Sequence, residues 1–278
     1  PDVLRTYRLA TSVKDSVEVS DRFQIKPLLR AVAFPQTAFV LALSENTARI
    51  IEIFPDAPAT VVKVPSLPGS AADAVGRASI NNLTQNARIS NAEGQKTLLR
   101  QYARRVDHAL RPVLSGRHTP LILAATQPMA SIYRGINTYP ALLPDGIGGS
   151  PDKLTDDELS TGARAILDKH YAAEIAEAKA QFQARLGERR ATSSLEEIAR
   201  AATSGGVAFI MIDIDRVMPG RIGDDGSVTL AARPSAGSYD VLDEIAGRAL
   251  LTGAGFLALR SADMPDGNPL AATLRYPI

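Results

Sequence analysis

Thr37–Leu43 (TAFVLAL), Thr47–Phe54 (TARIIEIF) and Thr60–Val64 (TVVKV) are three short apolar stretches with Ser44-Glu45-Asn46 between the first two. Each is rich enough in β-branched and apolar residues for a strand, the first for one buried on both faces. Three such strands joined by tight turns predict an antiparallel meander. Downstream, Pro120–Ala125 (PLILAA) has the character of a central strand in a βαβ unit. Between the two, Leu98, Leu99, Tyr102, Val106, Ala109, Leu110 and Val113 recur at helical spacing on one face. Met129–Ile136 predicts a short helix that leads into Asn137-Thr138-Tyr139-Pro140. The meander, helix and central strand together predict the sheet of an RNase H-like domain.

Composition shifts at Pro144–Pro151 (PDGIGGSP), which reads as an interdomain linker. A long helix follows from Asp156 to about Leu186, introduced by Thr155 and Glu158 in the spacing of a capping box. Then come a helix at Ser194–Ala202 ending at Gly205-Gly206, a strand at Val207–Ile214, a hairpin through Asp224-Asp225-Gly226 and a strand at Val228–Ala232. A helix at Tyr239–Leu251 and strands at Gly255–Arg260 and Ala271–Tyr276 complete a layered α/β/α pattern. At the other end, Val3–Ala10 and Ser16–Ile25 read as strands, the tail of an earlier domain.

The 278 residues are 45% hydrophobic and 22% charged, enough for two α/β domains and too apolar for wholesale disorder. Lys and Arg total 31 against 30 Asp and Glu, so any nucleic-acid contact rests on a local patch. Cysteine is absent, which excludes disulfides, thiolate metal sites and a Cys nucleophile, and fits a reducing, cytoplasmic setting. The three histidines, His108, His118 and His170, show no HExxH or paired spacing, so a zincin is excluded. No apolar run approaches the ~18 residues of a membrane span. The chain starts at Pro1, and its numbering is expected to begin inside a longer product.

From Pro65 to Gln95 the periodicity lapses, and a connection of roughly 30 residues without its own core is usually functional or disordered. It ends in Asn91-Ala92-Glu93-Gly94-Gln95 and feeds the helix just described. On that helix Lys96, Arg100, Arg104, His108 and Arg111 form one stripe opposite the apolar face. Between Lys96 and Arg117, six cations (Lys96, Arg100, Arg104, Arg105, Arg111 and Arg117) face one acid, Asp107, a local balance of +5. Such a face is either a solvated Arg-rich surface or a phosphate-contacting one. The lack of interleaved aromatic residues favours phosphate over base contact.

The acids Asp213 and Asp215, with Asp224-Asp225 beyond them, read first as solvated strand-end charges and a hairpin turn, and a Mg²⁺ site is the weaker alternative. His118 and His170 read as surface residues. No GxSxG elbow, Rossmann GxGxxG or Walker loop occurs, so the common hydrolases and nucleotide enzymes are disfavoured. An RNase H-like nuclease would need carboxylates converging on a metal pair, and Glu45, Glu52 and Asp56 show no evident convergence. No metal or cofactor is implied.

Four words, in order, carry a family likeness: Asp21-Arg22-Phe23-Gln24-Ile25-Lys26-Pro27-Leu28-Leu29, Leu41-Ala42-Leu43-Ser44-Glu45-Asn46, Asn137-Thr138-Tyr139-Pro140 and Ala271-Ala272-Thr273-Leu274-Arg275-Tyr276. The chain thereby resembles the bacterial archaeo-eukaryotic release factor group, its third subfamily, which is similar to class-1 release factors and Pelota. The resemblance implies residues 1–30 as the remnant of an N-terminal domain and 31–148 as an RNase H-like middle domain with a long loop at 65–95. It implies 149–278 as a C-terminal domain resembling kink-turn-binding ribosomal proteins. It also implies a ribosomal partner (rRNA and tRNA) and a GTPase partner. The release-factor tip is Gly-Gly-Gln, whose Gln backbone amide assists hydrolysis of the peptidyl-tRNA ester; here Gly94 and Gln95 match and Glu93 replaces a glycine. Two readings stand: a ribosome-associated release or rescue factor, with Lys96, Arg100, Arg104, Arg105 and Arg111 on RNA and ester hydrolysis at Gly94 and Gln95, or a non-catalytic RNA-binding or protein-interaction adaptor.

Overall fold

The computed structural model describes residues 22, 24–55, 57–75, 88–235 and 237–277, with the backbone alone at 75 and 88–93. The chain divides into two compact units, Pro35–Lys169 and a second that joins Pro1–Phe34 to His170–Ile278. The later division falls within a single helix, Asp156–Leu186.

In the first unit the meander is present: β1 (Ala38–Leu43) pairs antiparallel with β2 (Ala48–Ile53), which pairs with the two-residue β3 (Thr60–Val61). On its other side β1 runs parallel to β4 (Leu121–Ala124), with Phe39 opposite Leu121 and Leu41 opposite Leu123. β5 (Leu142–Ile147) extends the parallel side and completes the order β3-β2-β1-β4-β5, the mixed sheet of an RNase H-like fold. All six residues of β1 are buried, which accounts for the unbroken apolar run in the sequence. Phe39, Leu41 and Leu43 pack against Leu99, Tyr102, Val106 and Leu110 of α3 (Arg88–Leu114). Such side chains each contribute about 1.5–3 kcal/mol by burial.

β5 corrects the linker expectation, because the first half of Pro144–Pro151 is a strand. Pro144 is tolerated on this edge of the sheet. Gly146 is required: a Cβ there would lie 2.5 Å from the Leu123 carbonyl oxygen. The 65–95 loop is also corrected. It contains α2 (Ala71–Val75), and α3 has begun by Arg88; residues 76–87 lie outside the described set. α4 (Met129–Arg134) follows β4, and α5 (Asp156–Leu186) begins with the expected capping box. Glu158 accepts from Thr155 N at 2.8 Å, and Thr155 Oγ1 accepts from Glu158 N at 3.2 Å. Along the same stretch Arg49 donates to the Leu154 carbonyl (2.6 Å) and Arg164 to that of Phe54 (2.8 Å).

The second unit holds a four-stranded sheet, order β11-β7-β12-β6, built from β6 (Ala191–Thr192), β7 (Val207–Asp213), β11 (Gly255–Leu259) and β12 (Leu270–Leu274). β7 is parallel to β11 and antiparallel to β12. Ile198 and Ala202 of α6 (Leu195–Thr203) and Leu242, Ile245 and Ala249 of α7 (Val241–Leu251) bury their apolar faces with Ile210 and Ile212 of β7. The hairpin forms as expected between β8 (Pro219–Ile222) and β9 (Val228–Leu230), with Gly226 at φ +81°. β8 and β9 do not extend the main sheet; with β10 (Tyr239–Asp240) they make a separate one, order β10-β8-β9.

The expected strand Val3–Ala10 lies outside the described residues, and so does most of Ser16–Ile25. From Lys26 the chain forms a helix, α1 (Lys26–Ala33), with Pro27 in its first turn. α1 is built into this unit: Leu29 joins the core of α6, α7 and β7. Asp243 of α7 accepts from the backbone N–H of Ile25 and of Lys26, both at 2.9 Å, and its burial pushes its carboxyl above the ordinary range. The Lys26 ammonium is buried in an ion pair with Asp240.

Candidate nucleic-acid interface

α3 orders the basic stripe as its spacing predicts. Tyr102, Val106 and Leu110 are fully or almost fully buried, while Lys96, Arg100, Arg104, Arg105, His108 and Arg111 are exposed. Among the described residues no carboxylate pairs with Lys96, Arg100, Arg104 or Arg105. Arg111 differs from them: its Nη2 lies 3.2 Å from Asp107 Oδ2, one turn earlier. Arg117, beyond the helix, sits 3.8 Å from Glu52 and 5.4 Å from the ring centroid of Phe39. The local excess of charge therefore resides mainly in four side chains, Lys96, Arg100, Arg104 and Arg105, across the middle of the helix.

Asp107 is the anchor that the charge count concealed. It is 5% exposed and accepts from Thr138 N (3.0 Å) and Thr138 Oγ1 (2.9 Å) as well as from Arg111. Asn137 Nδ2 donates to the Tyr139 carbonyl at 2.7 Å, and Tyr139 Oη donates to that of Thr119 at 2.6 Å. The Asn137-Thr138-Tyr139-Pro140 word thus fixes α3 to the segment between β4 and β5. Beneath the helix the hydroxyls of Tyr102 and Tyr133 are buried without a hydrogen-bond partner, and burial pushes both well above the usual phenol range. Both stay neutral and act in packing.

Gly94 and Gln95 are not on a loop tip. Both lie inside α3, Gly94 exposed and Gln95 half-buried, and a Cβ on Gly94 would meet open space. At this depth in the helix the Gln95 N–H is committed to the carbonyl four residues earlier. Of Glu93 only the helical backbone is described.

Between the exposed cations and the segment leading into α2 lies a groove of about 500 Å³, lined by Pro65, Pro68, Asp73, Arg104, Arg105 and His108 among others. Composition gave no sign of it beyond the two prolines, since it needs the return of the 65–75 segment along α3. A second hollow, about 360 Å³, lies at the C-terminal end of α3 beside Arg111, Arg117, His118 and Tyr139.

The acidic candidates fall elsewhere. Asp213, expected as a solvated charge, is completely buried: Asp215 N (2.8 Å) and Ser261 Oγ (2.6 Å) donate to it, and Arg216 is 3.3 Å away. Asp215 takes Arg260 at 2.6 Å. Asp225 accepts from Ser227 N (2.9 Å) in the hairpin turn. His170 lies 3.3 Å from Glu174. Asp56 lies outside the described residues, and among those described no three His, Asp or Glu side chains are placed to hold a metal ion. No helix among them is long and apolar enough to cross a membrane.

Against solved structures, S. cerevisiae Dom34, a translation termination-like factor involved in RNA quality control pathways and interacting with Hbs1, superposes with a TM-score of 0.55 at 11% identity. The match covers 91% of this chain and 67% of Dom34. Ribosome-bound archaeal Pelota, in a complex with ABCE1, gives a TM-score of 0.53 at 12% identity, over 91% of this chain and 66% of that one. At such identities the likeness is one of fold, and this chain spans about two thirds of the length of either relative. No curated protein matches. The family model for bacterial archaeo-eukaryotic release factor family 11 matches residues 35–173, half of the chain, which takes in the RNase H-like sheet and the whole basic helix. The four landmark words pointed to this group and, within it, to the third subfamily; the match is with family 11. On that match, the chain belongs to bacterial archaeo-eukaryotic release factor family 11.

Proposed function

We propose that this protein is a ribosome-associated factor of the release or rescue type that acts by binding rather than by hydrolysing peptidyl-tRNA. The observation that carries the reading is the row of exposed cations, Lys96, Arg100, Arg104 and Arg105, left without carboxylate partners among the described residues on a helix anchored by Asp107. In this reading the row meets phosphates of rRNA or tRNA, which position the protein without reading sequence. Family membership and the fold of Dom34 and Pelota support the ribosomal setting. A GTPase partner, a place in the cytoplasm and the 1–30, 31–148 and 149–278 division belong to the same proposal, as does the kink-turn-protein character of the C-terminal part.

The non-hydrolytic mode follows from Gly94 and Gln95. An amide already bonded along a helix cannot serve as the donor to a developing oxyanion unless the helix opens there. Glycine is not required at position 94 by space or by a left-handed φ. The test has two arms, both using the full chain. Co-sedimentation with ribosomes at low salt is expected, and its failure removes the reading. Release of labelled peptide from ribosomal peptidyl-tRNA is expected to stay at background for the natural chain and for Gln95→Ala alike; release that depends on Gln95 restores the hydrolytic alternative.

A further inference from the structure

The groove beside the basic stripe has two unlike walls. One carries Arg104, Arg105 and His108, and the other is apolar, from Pro65, Leu67 and Pro68. The acid that faces the cations, Asp73, is turned to its own backbone: its Oδ2 accepts from Gly69 N at 3.1 Å, while Ser70 Oγ accepts from Asp73 N at 3.1 Å. That pairing holds the start of α2 and leaves both arginines without an ion pair among the described residues. At about 500 Å³ the hollow falls in the size range of small-molecule sites.

A phosphate alone needs the cations and not the apolar wall, and a duplex offers phosphates while its bases stay stacked inside. A single strand offers both, because an unpaired base can turn out of the stack beside its own phosphate. We propose that this groove binds single-stranded RNA, with a backbone phosphate on Arg104 and Arg105 and an adjoining base against Pro65, Leu67 and Pro68. Among the described residues no aromatic side chain lines it, so the base is held by apolar contact and fit, and the groove is tolerant of sequence. The proposal rests on the ribosomal reading above and names which part of the RNA the helix meets.

The discriminating substitution is Ser66→Glu. Ser66 is exposed and lines the groove from the wall opposite the helix, so a carboxylate there meets the incoming phosphate without altering α3. Fluorescence anisotropy with a labelled RNA of about 12 nucleotides, single-stranded or annealed to its complement, reads the outcome. The single strand is expected to bind the full chain about tenfold more tightly than the duplex. Ser66→Glu is expected to weaken the single strand about five- to tenfold and the duplex less than about twofold, while Arg104→Ala with Arg105→Ala weakens both. Circular dichroism and thermal melts establish that each variant is folded. Equal or tighter binding of the duplex, or no effect of Ser66→Glu on the single strand, overturns the groove assignment, even where the protein still co-sediments with ribosomes. Failure to co-sediment, with groove-dependent binding of the single strand intact, overturns the ribosomal reading and leaves the groove standing.

Discussion

If α3 binds RNA through phosphates, its cations should be unequal in a way fixed by their neighbours. Lys96, Arg100, Arg104 and Arg105 are exposed and lack a carboxylate among the described residues, whereas Arg111 has Asp107 at 3.2 Å. Each cation that neutralises a phosphate contributes about 0.7–0.9 to the slope of log K against log salt. Four contacts give a slope of about 3, and raising salt from about 50 to about 200 mM should weaken binding about 50- to 150-fold. Arg100→Ala, Arg104→Ala or Arg105→Ala should each lower the slope by about 0.7–0.9. Arg111→Ala should leave it almost unchanged, because removing that guanidinium also unmasks Asp107. The assay is anisotropy of a labelled RNA, or quantitative co-sedimentation, across a salt series for each variant. A salt-independent affinity refutes phosphate binding by the stripe, and an Arg111→Ala effect as large as that of Arg104→Ala refutes the use of ion pairing to rank the cations.

Further outcomes concern the scaffold. Gly94→Ala, at a helical position where a Cβ meets nothing, should stabilise α3 by about 1 kcal/mol; a lowered melting temperature would mean that Gly94 is needed in another conformation. Asp107→Ala removes a buried carboxylate that accepts from the Thr138 N–H and hydroxyl; because Thr138 is exposed and water can take its place there, the change should cost about 2 kcal/mol in urea unfolding, above the loss for Arg111→Ala. For Asp152, burial acts to raise the carboxyl, but hydrogen bonds from Ser44, Asn46 and Thr47 and the charge of Arg49 outweigh it and hold it below its ordinary 3.8. A depressed folded value means that its stabilisation is complete above 3.8 and lost as pH falls through the lower folded value. The stability gap between the natural chain and Asp152→Asn should therefore be constant near neutral pH and close in acid; a gap that widens in acid contradicts the assignment.

The sequence was most informative where one local rule decided the structure. β1 is a buried apolar run, α3 keeps its period from Leu99 to Leu110, and α5 starts at the capping box formed by Thr155 and Glu158. It misled where a distant contact overrode local composition. β5 resembled a linker because Pro144 and Gly146 are punctuation marks, but the edge of the sheet tolerates the first and the Leu123 carbonyl demands the second. α1 followed an apparent strand, although Pro27 is a helix-start signal, and the acceptor at its N-terminus is Asp243, far along the chain. The stripe could be read from spacing, but the groove beside it could not, because it joins Pro65 and Pro68 to Arg104 and Arg105 across residues that carry no periodic signal.

Three of the four landmark words prove to hold anchors. Ser44 donates to Asp152 at 2.5 Å and accepts from Thr47 N at 3.0 Å, closing the β1–β2 turn. Thr138 holds Asp107, and Lys26 is buried against Asp240. Each ties an element to a segment remote in sequence, and each would be costly to change, since a buried charge or donor would lose its partner. Lys96, Arg100, Arg104 and Arg105 are under no such constraint among the described residues: they are exposed, and no carboxylate there depends on them. Their concentration on one face, where no ion pair among the described residues uses them, is the feature on which the proposed RNA contact rests. Arg111 and Arg117 show the contrast on the same segment, since both are used internally. The division between cations the fold consumes and cations it leaves available is thus itself a map of the surface on which RNA binding should be sought.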